Sequence, residues 1–128
     1  MNFEILSDPS NLKLVRQKIK EVIKEYEFTK VDEFNVVLVI DESVQNVIRY
    51  AYEMDKTKKI IFNINKDHED LIVKIRDFGK QVDISKIKPR DLDNVRPGGL
   101  GVHFIKSICK DVHYEHQSDG GTELTLTF

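Results

Sequence analysis

The sequence predicts an α+β protein, a two-layer α/β sandwich in which a mostly antiparallel sheet is covered on one face by helices. Three observations carry this expectation. Two pairs of alternating apolar runs flank short polar turns, near 59–76 and 111–128, and each pair has the pattern of a hairpin. Three other stretches repeat apolar residues at the 3.6-residue helical period. The chain order is strand, helix, helix, hairpin, long loop, helix, hairpin, which suits helices gathered over a sheet. Its 128 residues suit one domain over 1–128, and such a chain buries roughly two thirds of its unfolded surface.

"FEILS" (3–7) alternates briefly and predicts a short strand. "SDPSNLKLVRQKIKEVIKEYEF" predicts a helix, with Ser7, Asp8 and Ser10 as candidate caps and Pro9 in the first turn. Leu12, Val15, Ile19, Val22, Ile23 and Tyr26 mark its apolar face. Asp32 can cap the next helix, "EFNVVLVIDESVQNVIRYAYEM". Its front, "VVLVI", would pass for a buried strand, but the helical period of "SVQNVIRYAY" decides for a helix. Runs 59–65 and 70–76 form the first hairpin around a turn at Asp67–Asp70. Residues 78–98 carry little pattern, and a loop of that length often serves as a lid or binding loop. A helix starts near Gly99 and carries Val102, Ile105, Ile108 and Cys109 on one side. "DVHYEH" and "TELTLTF" make the second hairpin around "QSDGG".

Composition narrows the function classes. A net charge of −2 provides no broad basic field, so nucleic acid is not expected as the main partner. The single cysteine, Cys109, excludes an internal disulfide, and its apolar surroundings suit an inert thiol. No apolar run approaches membrane-spanning length, and the N-terminus lacks the pattern of a signal peptide. No membrane partner and a cytoplasmic location are the expectation. His68, His103, His113 and His116 suit surface or packing roles.

The second helix carries a polar stripe. At about 100° per residue, Val36, Ile40, Val44, Val47, Ile48 and Ala51 share one side. Glu42, Gln45, Asn46 and Arg49 fall opposite, with Asp41 at the margin. This is either a solvated face or a site. Glu42 and Asn46, stacked four apart, offer a carboxylate and an amide oxygen, hard donors that suit magnesium. A carboxylate there could also take a proton from an attacking hydroxyl. "RPGGLG" (96–101) is open in the same way. It is an ordinary capped loop, or a helix mouth whose unpaired N–H groups meet phosphate and whose glycines let backbone approach. Its spacing fits neither a Walker A loop nor a dinucleotide fingerprint. "RDFGK" and "DGGT", taken singly, are turns.

In combination these segments resemble a known set. "DESVQNVIRYAY", "IRDFGKQVD", "RPGGLGVHFIKSICKDVHYE" and "GGTELTLTF" look like the N, G1, G2 and G3 boxes of the GHKL ATPase superfamily. Within it, the chain most resembles the anti-sigma factor serine kinases. The resemblance implies a Bergerat fold that binds ATP with magnesium. Carried over residue by residue, it implies Asn46 as magnesium ligand and Glu42 as general base. It implies Asp77 as the acceptor for the adenine amino group, Gly79 as the turn beneath the base and Thr122 as the completion of the adenine pocket. Gly98, Gly99, Leu100 and Gly101 would meet the phosphates, and Arg49 would add a basic contact to them.

The implied activity is a serine/threonine-protein kinase that phosphorylates an anti-anti-sigma (STAS-type) partner and sequesters a sigma factor. A homodimer is a further expectation. Added phosphate charge of about −1.5 to −2 would oppose docking at Asp41, Glu42 and Asp83. Two departures stand out. Gln81 occupies the place of the common second G1 glycine, and Tyr50 replaces a frequent histidine. Gln81 supports an alternative, a nucleotide-responsive binding module without significant kinase activity. No phosphoacceptor-type helix precedes the boxes, so a histidine autokinase is not expected.

Overall fold

The structure is a computed structural model that describes residues 1–81 and 101–128. Among the described residues, five strands form one antiparallel sheet in the order β1-β2-β3-β5-β4. They are β1 (Asn2–Leu6), β2 (Lys59–Asp67), β3 (Asp70–Arg76), β4 (Asp111–His116) and β5 (Thr122–Thr127). Three helices accompany them, α1 (Leu12–Glu25), α2 (Glu33–Asn46) and α3 (Gly101–Ile108), and α2 packs against both others. The predicted α+β sandwich is therefore the observed fold.

Strand alternation sets which residues meet the helices. The register aligns Phe3, Phe62, Ile75, Leu124 and Tyr114 in one row across all five strands. Phe62 and Ile75 are wholly buried in that row, and Phe3 stacks on Phe62 with ring centroids 4.7 Å apart. The next inward row of β2, β3 and β5 adds Ile64, Val73 and Leu126, all fully buried. The other face carries polar pairs such as Lys74 with Glu123.

From the helical side, α1 contributes Val15, Ile19 and Val22, each 1% exposed. Their spacing of four and three is the apolar stripe that the sequence announced. The capping expectation divides at the start of α1. Asp8 accepts from the Ser10 N–H and caps a 3₁₀ turn over Pro9–Asn11, and the α-helix begins only at Leu12. Ser7 instead is buried after β1 and donates its hydroxyl to the Asp55 carbonyl. Asp32 caps α2 as expected, accepting from Asn35 N–H at 3.3 Å.

The second helix departs from its predicted course in two ways. It does not run as α-helix to Met54. After Asn46 it widens into a π-helical segment, Val47–Ala51, closed by Tyr52 N–H donating to Val47 C=O at 2.9 Å. Its polar side is also not a solvated face. Asn46 is buried, and Glu42, Gln45 and Arg49 are half-buried. Packed between two helices and the sheet, α2 buries most of its circumference, so an amphipathic wheel understates its contacts. α3 begins at Gly101, and Cys109 lies just past its end, half-buried.

Candidate functional site: a pocket between α2 and the β3–β5 ends

Asp77 follows β3 and continues its inward alternation, which places its carboxylate under α2. Its own N–H donates to Thr122 C=O at 3.0 Å, which welds the exit of β3 to the entrance of β5. Gly79 N–H donates back to Asp77 Oδ1 at 3.0 Å. Asp77 is 4% exposed. Burial pushes its pKa above the usual aspartate value. The backbone N–H groups of Gly79 and Thr122, with Arg76 and His116 nearby, pull it partly back.

Two glycines permit this junction. A Cβ on Gly79 would lie 2.4 Å from the Ala51 carbonyl oxygen, and one on Gly121 would lie 2.1 Å from the Asp77 carbonyl oxygen. The close approach lets Lys80 N–H donate to Ala51 C=O at 2.8 Å, so the end of the π-segment is tied to the chain leaving β3. Tyr52 reinforces the same corner, its hydroxyl accepting from Phe78 N–H at 2.8 Å and donating to Lys59 C=O.

Above this corner lies a small pocket, partly open to solvent. Asn46, Asp77 and Thr122 share its lining, brought together from three separate elements. Val47, Ala51 and Leu124 make its apolar wall. Tyr50, Tyr114, Ser43 and Lys80 also line it. Apolar walls with a few convergent polar groups are the usual form of a small-ligand site. The Tyr114 phenol is pushed up to about 12 by burial, with a smaller contribution from Cys109, so it stays protonated. The Cys109 thiol is likewise pushed up to about 12 by burial, which leaves it unreactive as expected.

Asn46 is the anomaly of the pocket. Both polar atoms of its side chain are buried, and neither has a hydrogen-bond partner among the described residues. A buried orphan amide is costly, about 1–3 kcal/mol, and such groups mark sites completed by something else. An amide oxygen is a donor that suits magnesium, so the residue fits that ion.

Other sequence-derived candidates fall elsewhere. Glu42 lies one turn before Asn46 on α2, half-buried, and is not part of the pocket lining. Arg49 is also outside the lining, with its guanidinium 5.8 Å from the Tyr50 ring centroid. Gly101 opens α3, whereas Gly98, Gly99, Leu100 and Asp83 lie outside the described residues. Asp41 is not a free acidic group. Arg16 holds it through two hydrogen bonds of 2.9 Å, which neutralises the charge expected to repel a phosphorylated partner. His68 and His113 are exposed beside Asp67 and Glu115, and His116 is exposed as well. No metal-binding cluster of His, Cys, Asp and Glu is present among the described residues.

Sequence reasoning missed Ser43, Tyr50, Lys80 and Tyr114 as lining. A signal existed for three of them. Ser43, Asn46 and Tyr50, spaced three and four apart, form a strip along one edge of the apolar face. Tyr114 alternates in phase with Val112, which points inward.

The decisive likeness is to a family model described as the histidine kinase-like ATPase domain, which matches residues 5–128. The chain belongs to that family. Members of the curated set that resemble it include the serine-protein kinase RsbW of Halalkalibacterium halodurans, 23% identical over 122 residues. That match covers 89% of this chain and 73% of the relative. RsbW of Staphylococcus aureus is 27% identical over 123 residues, covering 89% and 76%.

Among solved structures, the SiaB–SiaC complex of Pseudomonas aeruginosa aligns with a TM-score of 0.74 at 13% identity. It covers all of this chain and 88% of that one. A structure of RsbU and RsbW domains from Mycobacterium tuberculosis aligns with a TM-score of 0.68 at 18% identity. It covers 99% of this chain, which spans only 31% of that larger one. These structural likenesses establish a shared fold. No helix among the described residues is long and apolar enough to cross a membrane.

Proposed function

We propose that the chain is an ATP-binding anti-sigma regulatory serine/threonine-protein kinase that phosphorylates a STAS-type anti-anti-sigma partner and sequesters a sigma factor. The observation that carries this is the convergence on one pocket of a buried carboxylate, Asp77, and a buried amide without a partner, Asn46. The names of the RsbW relatives and of the SiaB–SiaC neighbour support the kinase and partner parts of the proposal.

Asp77 would accept the amino group of adenine, and Gly79 would hold the chain low enough for the base to enter. Thr122 would close the same end, while Tyr50 and Tyr114 would offer aromatic surface to the base. Asn46 would hold magnesium, which when bound neutralises phosphate charge. Gly98, Gly99, Leu100 and Gly101 would present backbone N–H groups to the phosphates, and Arg49 would add its charge after turning from Tyr50. Glu42 would take the proton from the partner's serine hydroxyl as its oxygen bonds to the γ-phosphorus and ADP leaves. Positioning and charge stabilisation supply most of such a transfer.

The experiment is transfer from radiolabelled ATP to serine-bearing candidate partners, with wild type and Glu42→Ala. The expected result is labelled partner with wild type and a loss of about a hundredfold or more with the variant. Undiminished transfer by Glu42→Ala would remove Glu42 from the base role.

Two observations favour a second reading. Glu42 stands outside the pocket lining, and Gln81 occupies a family glycine position. Both suit a binding module in which nucleotide sets partner affinity without turnover. Calorimetric ATP binding, with no phosphate transferred to any partner, would support it.

A further inference from the structure

The side chain of Gln81 is hydrogen-bonded rather than idle. Its Nε2 donates to Gln117 C=O at 2.8 Å and to Gly121 C=O at 3.1 Å. Those two carbonyls also close the β4–β5 turn, accepting from Gly120 N–H and Gln117 N–H. From the other side of the turn, Arg76 donates to Gly120 C=O at 3.0 Å and to Asp119 Oδ1 at 2.7 Å. The side chains of Arg76 and Gln81, on either side of Asp77 in the chain, thus hold three carbonyls of the turn, those of Gln117, Gly120 and Gly121. Gly121 is the residue pressed against the Asp77 carbonyl, and Thr122 follows it into the pocket.

We propose that Gln81 is a positioning residue for the base end of the pocket: it locks the β4–β5 turn so that Thr122 and Asp77 keep a fixed spacing. This rests on the nucleotide reading of the pocket. A glycine at this position could not make either bond. Gln81 therefore substitutes a side-chain brace for the backbone freedom that a glycine gives, and restoring the glycine is expected to harm the site.

The test is calorimetry of ATP and GTP, each with magnesium, on wild type, Gln81→Gly and Gln81→Met. Methionine keeps the length of the side chain and removes both donors. A turn freed of this brace must be ordered when the nucleotide binds, which predicts about tenfold weaker ATP binding in both variants. Because the loosened end is the one that reads the base, the ATP-to-GTP affinity ratio should fall as well. Gln81 is exposed, so thermal unfolding without nucleotide should move little. Wild type that binds neither nucleotide overturns the nucleotide reading. Wild type that binds ATP, with either variant matching it in affinity and in ratio, overturns the positioning role alone. An equal loss for ATP and GTP accompanied by a lowered unfolding temperature also overturns it, since that marks a general structural effect.

Discussion

Asp77 and Asn46 were legible in the sequence as members of boxes, but not as physical anomalies. Their meaning lies in burial that only the fold supplies. Asp77 is a carboxylate held where ionisation is disfavoured, so the folded protein binds its proton more tightly than the unfolded chain does. As pH rises from the ordinary value of 3.8 through the raised one, folding stability from this group declines. Above the raised value the ionised group is therefore a burden on the fold. Asp77→Asn is expected to unfold no earlier than wild type at neutral pH, because the amide oxygen still accepts from Gly79 N–H. Its ATP affinity should fall by about ten- to a hundredfold, as for loss of a charged acceptor. Paired thermal melts and calorimetry check both halves. Wild-type ATP affinity should also begin to drop on acidification at a pH above the ordinary aspartate range.

At the level of elements, hairpins and helices followed from periodicity, whereas the π-segment did not. A π-turn closes over five residues rather than four, so each residue advances less around the axis. The regular wheel thus misplaces Arg49 and Tyr50 once the helix has passed Asn46. Nothing in "VIRYA" encodes the widening locally. It accompanies long-range bonds, above all Lys80 N–H to Ala51 C=O. The β4–β5 turn shows the same dependence on partners. Gly120 and Gly121 both have positive φ, +100° and +77°. A Cβ on Gly120 meets nothing within 4 Å, whereas one on Gly121 collides with the backbone of Asp77 and Phe78. Gly120→Ala should cost about 1–2 kcal/mol of backbone strain. Gly121→Ala should cost about 3 kcal/mol or more, since overpacking adds to the strain. Urea unfolding ranks them, and a Gly120 effect equal to that of Gly121 would contradict the packing account.

Across the whole molecule, the two hairpins and the helical layer were readable because each strand alternates cleanly and each turn carries its own polar signal, whereas the strand order β1-β2-β3-β5-β4 came only with the fold. The pocket was readable only in part, since it is assembled from α2, the end of β3, β4 and the start of β5, segments up to about eighty positions apart. That assembly makes a global prediction. A ligand that binds Asn46 and Asp77 together must clamp α2 to the sheet, so it binds the folded chain and not the unfolded one. At a hundred times its Kd, such a ligand adds about 2.7 kcal/mol to stability. For a chain of this size that corresponds to about 10 °C in Tm. Thermal unfolding with ATP and magnesium should show this rise, and chelation of the magnesium should reduce it. In Asn46→Ala the nucleotide-free melt should not fall, because no hydrogen bond is lost within the described residues and the cost of the orphan amide is relieved, offsetting the packing that is lost. The part of the ATP-dependent rise that requires magnesium should vanish. A magnesium-dependent rise that persists in Asn46→Ala would show that the ion is held elsewhere, and would leave the orphan amide as a packing defect of α2.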